Sequence, residues 1–271
     1  MKNNSFHLVE PSPWPILTSG AACGFVTAFA FFMHSAPYSG VAFLTFFLAL
    51  LFCMFCWWKD VIKEAIVDAA HTKVVKFGLR IGMILFILSE IMFFFVLFWS
   101  FFKSWLDPSY MMEDVWPSKT IPWPPEGINQ LDAWNIPFLN TLILLLSGAT
   151  VTWSHYSIAQ KDYANFIKGI AITILLGVSF TCLQFYEYHH ADFAFAEEGY
   201  KSIYSSNFYV ITGFHGLHVV IGAIFFVVCL IRALKKQLTS KDHLAFEFAA
   251  WYWHFVDVVW LLLFVFVYWL S

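Results

Sequence analysis

The run Ile81–Phe102, IGMILFILSEIMFFFVLFWSFF, constrains this chain more than any other stretch. It is 22 residues long, overwhelmingly apolar, and carries one ionisable side chain, Glu90. About 20 apolar residues make a helix that crosses the hydrocarbon core of a bilayer. At roughly 1.5 Å rise per residue, Glu90 lies about 15 Å deep, near the midplane. A charged carboxylate at that depth costs at least about 2.5 kcal/mol. Glu90 is therefore expected to be neutral, paired, or turned toward a polar cavity. It reads either as a proton or ion site, or as a protonated acid bonded to a neighbouring helix with no role beyond packing.

Composition extends the membrane reading to the whole chain. Of 271 residues, 60% are hydrophobic and only 12% charged, with a mean hydropathy of +0.70. Soluble domains carry about 25% charged residues. A net charge of -3 and the lack of a basic tail exclude nucleic acid as a partner. Cys23, Cys53, Cys56, Cys182 and Cys229 all lie in apolar runs, where cysteine behaves as a small hydrophobe. The C-x-x-C spacing of Cys53 and Cys56 has no second pair to complete a metal or redox motif.

Hydropathy divides the chain into seven spans: Ile16 to Met33, Val41 to Trp58, Ile81 to Phe102, Pro137 to Tyr156, Gly169 to Tyr188, Phe208 to Ile231 and Phe246 to Leu270. The prolines before the first span do not suit a secretory signal, so no cleavage is expected. Residues 59–80 read as a polar loop, and the proline-rich stretch Lys103 to Ile136 as a long loop without regular helix. The expected division is residues 1–80, holding spans 1 and 2 with the polar loop, and 81–271, holding spans 3 to 7, in one structural unit. Cytoplasmic loops carry an excess of lysine and arginine. With the N-terminus inside, 12 of the 15 basic residues fall on inner segments and only Lys103, Lys119 and Lys201 on outer ones. The C-terminus is then outside.

Four further polar groups lie within the spans. His215 and His218 share one face of span 6, and His254 and Asp257 one face of span 7. They read as ligands of haem or metal, as a transport route with Glu90, as interhelical hydrogen bonds that fix the bundle, or as contacts with a partner subunit. Matched histidines at repeated spacing, which a haem site would want, are missing; so are the inverted repeats of many transporters. The basic segments beside Trp57-Trp58 read either as orientation signals or as headgroup sites for anionic lipid.

Several long motifs carry a family resemblance. They are His7-Leu8-Val9 through Pro11-Ser12-Pro13-Trp14-Pro15, Trp57-Trp58-Lys59-Asp60-Val61, Gly82 to Glu90, and Trp123-Pro124-Pro125-Glu126-Gly127-Ile128. Thr212-Gly213-Phe214-His215-Gly216-Leu217-His218-Val219-Val220-Ile221-Gly222 and Ala250-Trp251-Tyr252-Trp253-His254-Phe255-Val256-Asp257-Val258-Val259-Trp260-Leu261 complete the set. Together they resemble subunit III of aa3-type haem-copper cytochrome c oxidases over nearly the whole chain. The resemblance implies an all-α integral membrane bundle of seven helices, with helices 1 and 2 separated from helices 3 to 7 by a V-shaped lipid-binding cleft. It implies an accessory subunit with no catalytic centre, haem or copper of its own. Haem a, haem a3, copper A and copper B reside in partner subunits, of which subunit I makes the main contact and subunit II carries copper A. Cytochrome c meets the chain only through the complex. The implied role is to hold structural phospholipid, stabilise subunit I and support its proton uptake.

By the same resemblance, Glu90 matches the family's carbodiimide-reactive buried glutamate. Trp58, Glu64, His71 and Arg232 match positions near bound anionic lipid, with Arg80 a further candidate. Two departures stand out. Ala70-His71 replaces the paired histidines of many relatives, and Met111 to Pro122 is longer and charged. The expected home is a bacterial plasma membrane or a mitochondrial inner membrane, with the N-terminus on the cytoplasmic or matrix side. A quinol-oxidising relative and a proton-coupled transporter using Glu90 are the alternatives.

Overall fold

The computed structural model of the protein describes residues 11–67, 71–106, 123–125, 127–195 and 201–271. Among these, regular structure is helical: α1 (Trp14–Met33), α2 (Ser39–Ile66), α3 (Lys73–Leu106), α4 (Ile136–Ala159), α5 (Tyr163–His190), α6 (Lys201–Leu234) and α7 (Leu244–Leu263), which runs into a π-helical turn, Phe264–Trp269. Among the described residues, seven helices are long and apolar enough to cross a membrane. The motif residues His7 to Val9, Ala70 and Glu126, and the charged stretch Met111 to Pro122, lie outside the described residues.

The helices outrun the apolar spans. α2 continues eight residues past Trp58, and α3 begins eight residues before Ile81, so most of the expected polar loop 59–80 is helix. The reason is chemical. Lysine, glutamate, alanine and isoleucine in these segments are compatible with a helix, and no proline interrupts them. Hydropathy marks where a helix leaves the apolar layer, not where its hydrogen bonds stop. The connection between the spans ending at Tyr156 and starting at Gly169 likewise shrinks to a short turn, with α4 running to Ala159 and α5 starting at Tyr163. Asp162 caps α5 by accepting from the Asn165 N–H at 3.1 Å.

By internal contacts the chain divides into two units, Met1–Arg80 and Ile81–Ser271, with α3 contributing to both. In the first, α1 and α2 form an antiparallel hairpin. Its turn places Ser35 and Tyr38 in the left-handed region, at φ 55° and 60°. At the open end, the indole N–H of Trp14 donates to Asp60 Oδ2 at 2.5 Å. Phe25 and Phe43 pack 5.0 Å apart between the helices, and Gly24 lies flush against the Phe46 ring, where a Cβ would collide.

In the second unit α7 is the axis. Its most apolar stretch is 61% buried, against 39% for α4, the next most enclosed span. A helix apolar around its whole circumference belongs in the centre of a bundle. Trp253 and Trp260 are among the largest fully buried side chains. Each donates its indole N–H to α4: Trp253 to Ser147 Oγ at 2.8 Å and Trp260 to Thr141 Oγ1 at 2.9 Å. α5 and α6 close the sides, and α3 packs its phenylalanines on α6 and α7.

Candidate functional site

Glu90, on α3, meets His218 on α6. Oε2 lies 2.9 Å from Nε2, across 128 residues of sequence. His218 Nδ1 is 2.6 Å from the Phe214 carbonyl. A carbonyl only accepts, so Nδ1 carries a proton. Two proton arrangements then satisfy the contact. In one, a neutral Glu90 donates to a bare Nε2; in the other, an imidazolium donates to a carboxylate. Both have zero net charge and differ only in the position of one proton. That is how a deep acid escapes the cost of an isolated charge.

Aromatic rings surround the His218 side of the pair, while 21% of the Glu90 side chain stays exposed. Phe94 lies edge-on to His218 at 5.0 Å, Tyr252 stacks at 6.2 Å, and Phe93 and Phe255 complete the enclosure. The pair also joins α3 to α6 by a polar contact in an otherwise apolar layer.

The other intramembrane groups do not join this pair into one network. Both nitrogens of His218 are engaged, which leaves none for Asp257. Asp257 instead faces His254 one turn earlier, with Oδ2 3.5 Å from Nδ1, and its Oδ1 is buried without a hydrogen-bond partner among the described residues. Asp257 presses against α4 at Gly148, where an added Cβ would come within 2.5 Å of Oδ2. Of the four, among the described residues, it is His215 that approaches α7 with a hydrogen bond: its Nε2 is 3.2 Å from the Val256 carbonyl. The physical reason is helix rotation. Residues three apart share a face, but which neighbour that face meets is set by packing.

One buried acid escaped the sequence reading. Glu187, 2% exposed near the end of α5, accepts from the Tyr268 hydroxyl at 2.7 Å. Gln184 Nε2 also reaches that hydroxyl, at 3.4 Å. Glu187 stands between Tyr186 and Tyr188 at the edge of its apolar run, so it resembles an interfacial residue in sequence. The π-helical turn carries Tyr268 inward to meet it. The only signal in the sequence is a paired Gln184 and Glu187 on one helical face.

The lipid candidates are partly open. Trp58 is 62% exposed, and Glu64, His71, Arg80 and Arg232 are half-buried. Arg232 has its Nε buried without a hydrogen-bond partner among the described residues. Trp58, Glu64, His71 and Arg80 lie in the first unit and Arg232 in the second.

Comparison with known proteins accounts for the whole chain. Residues 4–271 match the family described as cytochrome c oxidase subunit III. A relative from Rickettsia bellii (strain RML369-C), named probable cytochrome c oxidase subunit 3, is 53% identical over 269 residues, covering 98% of this chain and 96% of the relative. The cytochrome c oxidase subunit 3 of Chondrus crispus is 49% identical, covering 99% and 95%, and that of Arabidopsis thaliana 48%, covering 99% and 97%. With seven membrane-length helices and near full-length matches at about half identity, the chain belongs to the cytochrome c oxidase subunit III family and forms part of the oxidase complex.

Proposed function

We propose that this chain is the redox-inactive, lipid-holding subunit of its oxidase, with no catalytic centre of its own. Electron transfer from cytochrome c to oxygen then runs through haem a, haem a3, copper A and copper B in partner subunits. The chain packs mainly on subunit I, with subunit II nearby, and sustains proton uptake into subunit I during turnover. The observation that carries this reading is the closed Glu90–His218 pair. Both imidazole nitrogens are already committed, and His218 is packed among aromatic rings. That arrangement suits a structural tie between helices better than a through-route for ions, because a transport site needs a polar path on each side of the acid.

Trp58, Glu64, His71 and Arg80 on the first unit, and Arg232 on the second, are read as contacts to anionic phospholipid. Tryptophan at headgroup level supplies the amphipathic ring, and basic side chains supply the charge. The N-terminus lies on the cytoplasmic or matrix side.

The test is removal of this chain from the purified complex. Haem spectra and initial electron transfer are expected to survive, while activity decays over repeated turnovers. Loss of all haem on removal would show that the chain carries redox centres after all. Glu90-dependent proton flux by the chain alone in liposomes would favour a transporter instead.

A further inference from the structure

At the end of the bundle where α4 finishes and α7 begins, three side chains converge that play no part in the Glu90 pair. His155, His243 and Glu247 each bring one ligand atom within 4.8 Å of the other two. They come from two helix ends 88 residues apart in sequence, since His155 lies near the end of α4 and His243 sits at the residue just before α7. The two imidazole rings lie 5.6 Å apart at an angle of 66°. His243 Nε2 is 3.5 Å from Glu247 Oε1.

The orientation of His243 is fixed before any ligand arrives. Its Nδ1 lies 3.0 Å from the Thr239 carbonyl, so Nδ1 bears the proton and donates. That leaves the lone pair on Nε2, pointed toward Glu247. Thr239 is itself held by a reciprocal pair of backbone bonds with Asp242, at 3.0 and 3.1 Å. Metal-ligating histidines almost always donate their second ring N–H to a carbonyl or carboxylate, which sets the tautomer and orients the ring. His243 has this arrangement complete.

The distances suit a small divalent ion. Bonds of about 2.0–2.2 Å in a tetrahedron place ligand atoms about 3.3 Å apart. The His243–Glu247 separation of 3.5 Å nearly meets this as it stands. His155 is exposed and free of the turn that holds His243, so a side-chain rotation brings its nitrogen the remaining way. Two imidazoles and one carboxylate are the donors of a borderline metal of the zinc class, not of calcium or magnesium, which take oxygen ligands. An i,i+4 pair alone would account for His243 and Glu247, with Glu247 also favoured in the first turn of α7. It does not require a second imidazole from α4.

We propose that His155, His243 through Nε2, and Glu247 bind one zinc-class divalent ion, leaving a fourth position to water and tying the end of α4 to the start of α7. The site is non-redox and shares no residue with the lipid candidates or with the Glu90 pair.

The test uses the intact oxidase complex, stripped with a chelator and equilibrated with low-micromolar zinc chloride. Zinc is counted against haem iron by mass spectrometry, so that zinc held elsewhere in the complex cancels between samples. The wild-type complex is expected to hold one equivalent more than His155→Asn, His243→Gln or Glu247→Gln, each variant losing at least about tenfold in affinity. His155 is exposed, so its variant is expected to assemble normally, and the amount of this chain per haem in the purified complex, read from a stained gel, checks this. Equal zinc in the wild type and the His155→Asn complex overturns the site. X-ray absorption at the zinc edge gives a second reading: two imidazoles in the shell of the difference zinc support the site, and a shell without them overturns it.

Discussion

The Glu90–His218 contact sets what single substitutions at the midplane do. Gln in place of Glu90 keeps a donor for His218 Nε2 and nearly the same volume. Ala leaves that nitrogen buried without a partner inside the ring of Phe93, Phe94, Tyr252 and Phe255. An unsatisfied buried polar group costs about 1–3 kcal/mol. Glu90→Ala is therefore expected to lower the thermal unfolding midpoint of the complex clearly, and Glu90→Gln only slightly. Equal effects of the two would mean that the hydrogen bond contributes nothing. Arg232 makes a different prediction. Its buried, unpartnered Nε suits a bound phosphate oxygen, so Arg232→Ala should reduce the anionic phospholipid that co-purifies with the complex, as measured by lipid mass spectrometry. Unchanged lipid stoichiometry would remove Arg232 from the lipid contacts. At this scale the sequence was legible only where a residue was out of place. A lone acid in a 22-residue apolar run declares itself, whereas its partner lies 128 residues away and nothing local names it. The meeting of His155 with His243 is hidden for the same reason, and Glu187 is hidden among tyrosines at a span's edge.

Among the elements, α7 is held by one side chain that four helices share. Trp253 donates to Ser147 of α4. Gly177 of α5 lies against its ring, where an added Cβ would come within 2.7 Å of Cη2, and Gly222 of α6 lies against it within 2.8 Å of Cε3. Without an apolar driving force between helices in lipid, such close approach at small residues supplies the packing. Overpacking a tight interior costs about 1–3 kcal/mol. Gly177→Ala and Gly222→Ala are each expected to destabilise by about that much. The smaller Trp253→Leu ring-removal variant should tolerate either glycine change better than the wild type does. Measured as a double-mutant cycle in chemical or thermal unfolding, the coupling should be non-zero because the residues touch; strict additivity would show that the glycines are not packed on the indole. The seven spans themselves were legible from hydropathy. Their ends were not. α2 and α3 each extend eight residues beyond their apolar runs, because a helix needs compatible backbone torsions, not apolar side chains, to continue into water.

Over the whole molecule, the arrangement of the second unit turns a count of charges into a statement about sides. His155 and His243 bring the end of α4 to the start of α7, while Glu187 and Tyr268 bring the end of α5 to the end of α7. The short links α4–α5 and α6–α7 therefore share one end of the unit. That end carries Lys161, Lys168, Arg232, Lys235, Lys236 and Lys241. α3 runs alongside α7 in the same direction, as Phe86 meets Tyr252, Phe94 meets Phe255 and Phe102 meets Phe266. Lys103, at the finish of α3, thus falls at the opposite end with Lys201 at the start of α6. Six basic residues against two, among the described residues of this unit, point the heavily basic end to the cytoplasm or matrix, since lysine and arginine close to span ends resist translocation. On this proposed orientation the C-terminus faces outward. Single cysteines introduced as Gln160→Cys in the α4–α5 link and Ser271→Cys at the C-terminus separate the two orientations, with the wild-type chain as the blank. In sealed membranes whose outer face is exposed, a membrane-impermeant maleimide is expected to label the Ser271→Cys chain and spare the Gln160→Cys chain until the membrane is opened. The opposite pattern would invert the assignment, and with it the side on which the proposed metal site and the proposed Arg232 lipid contact meet water.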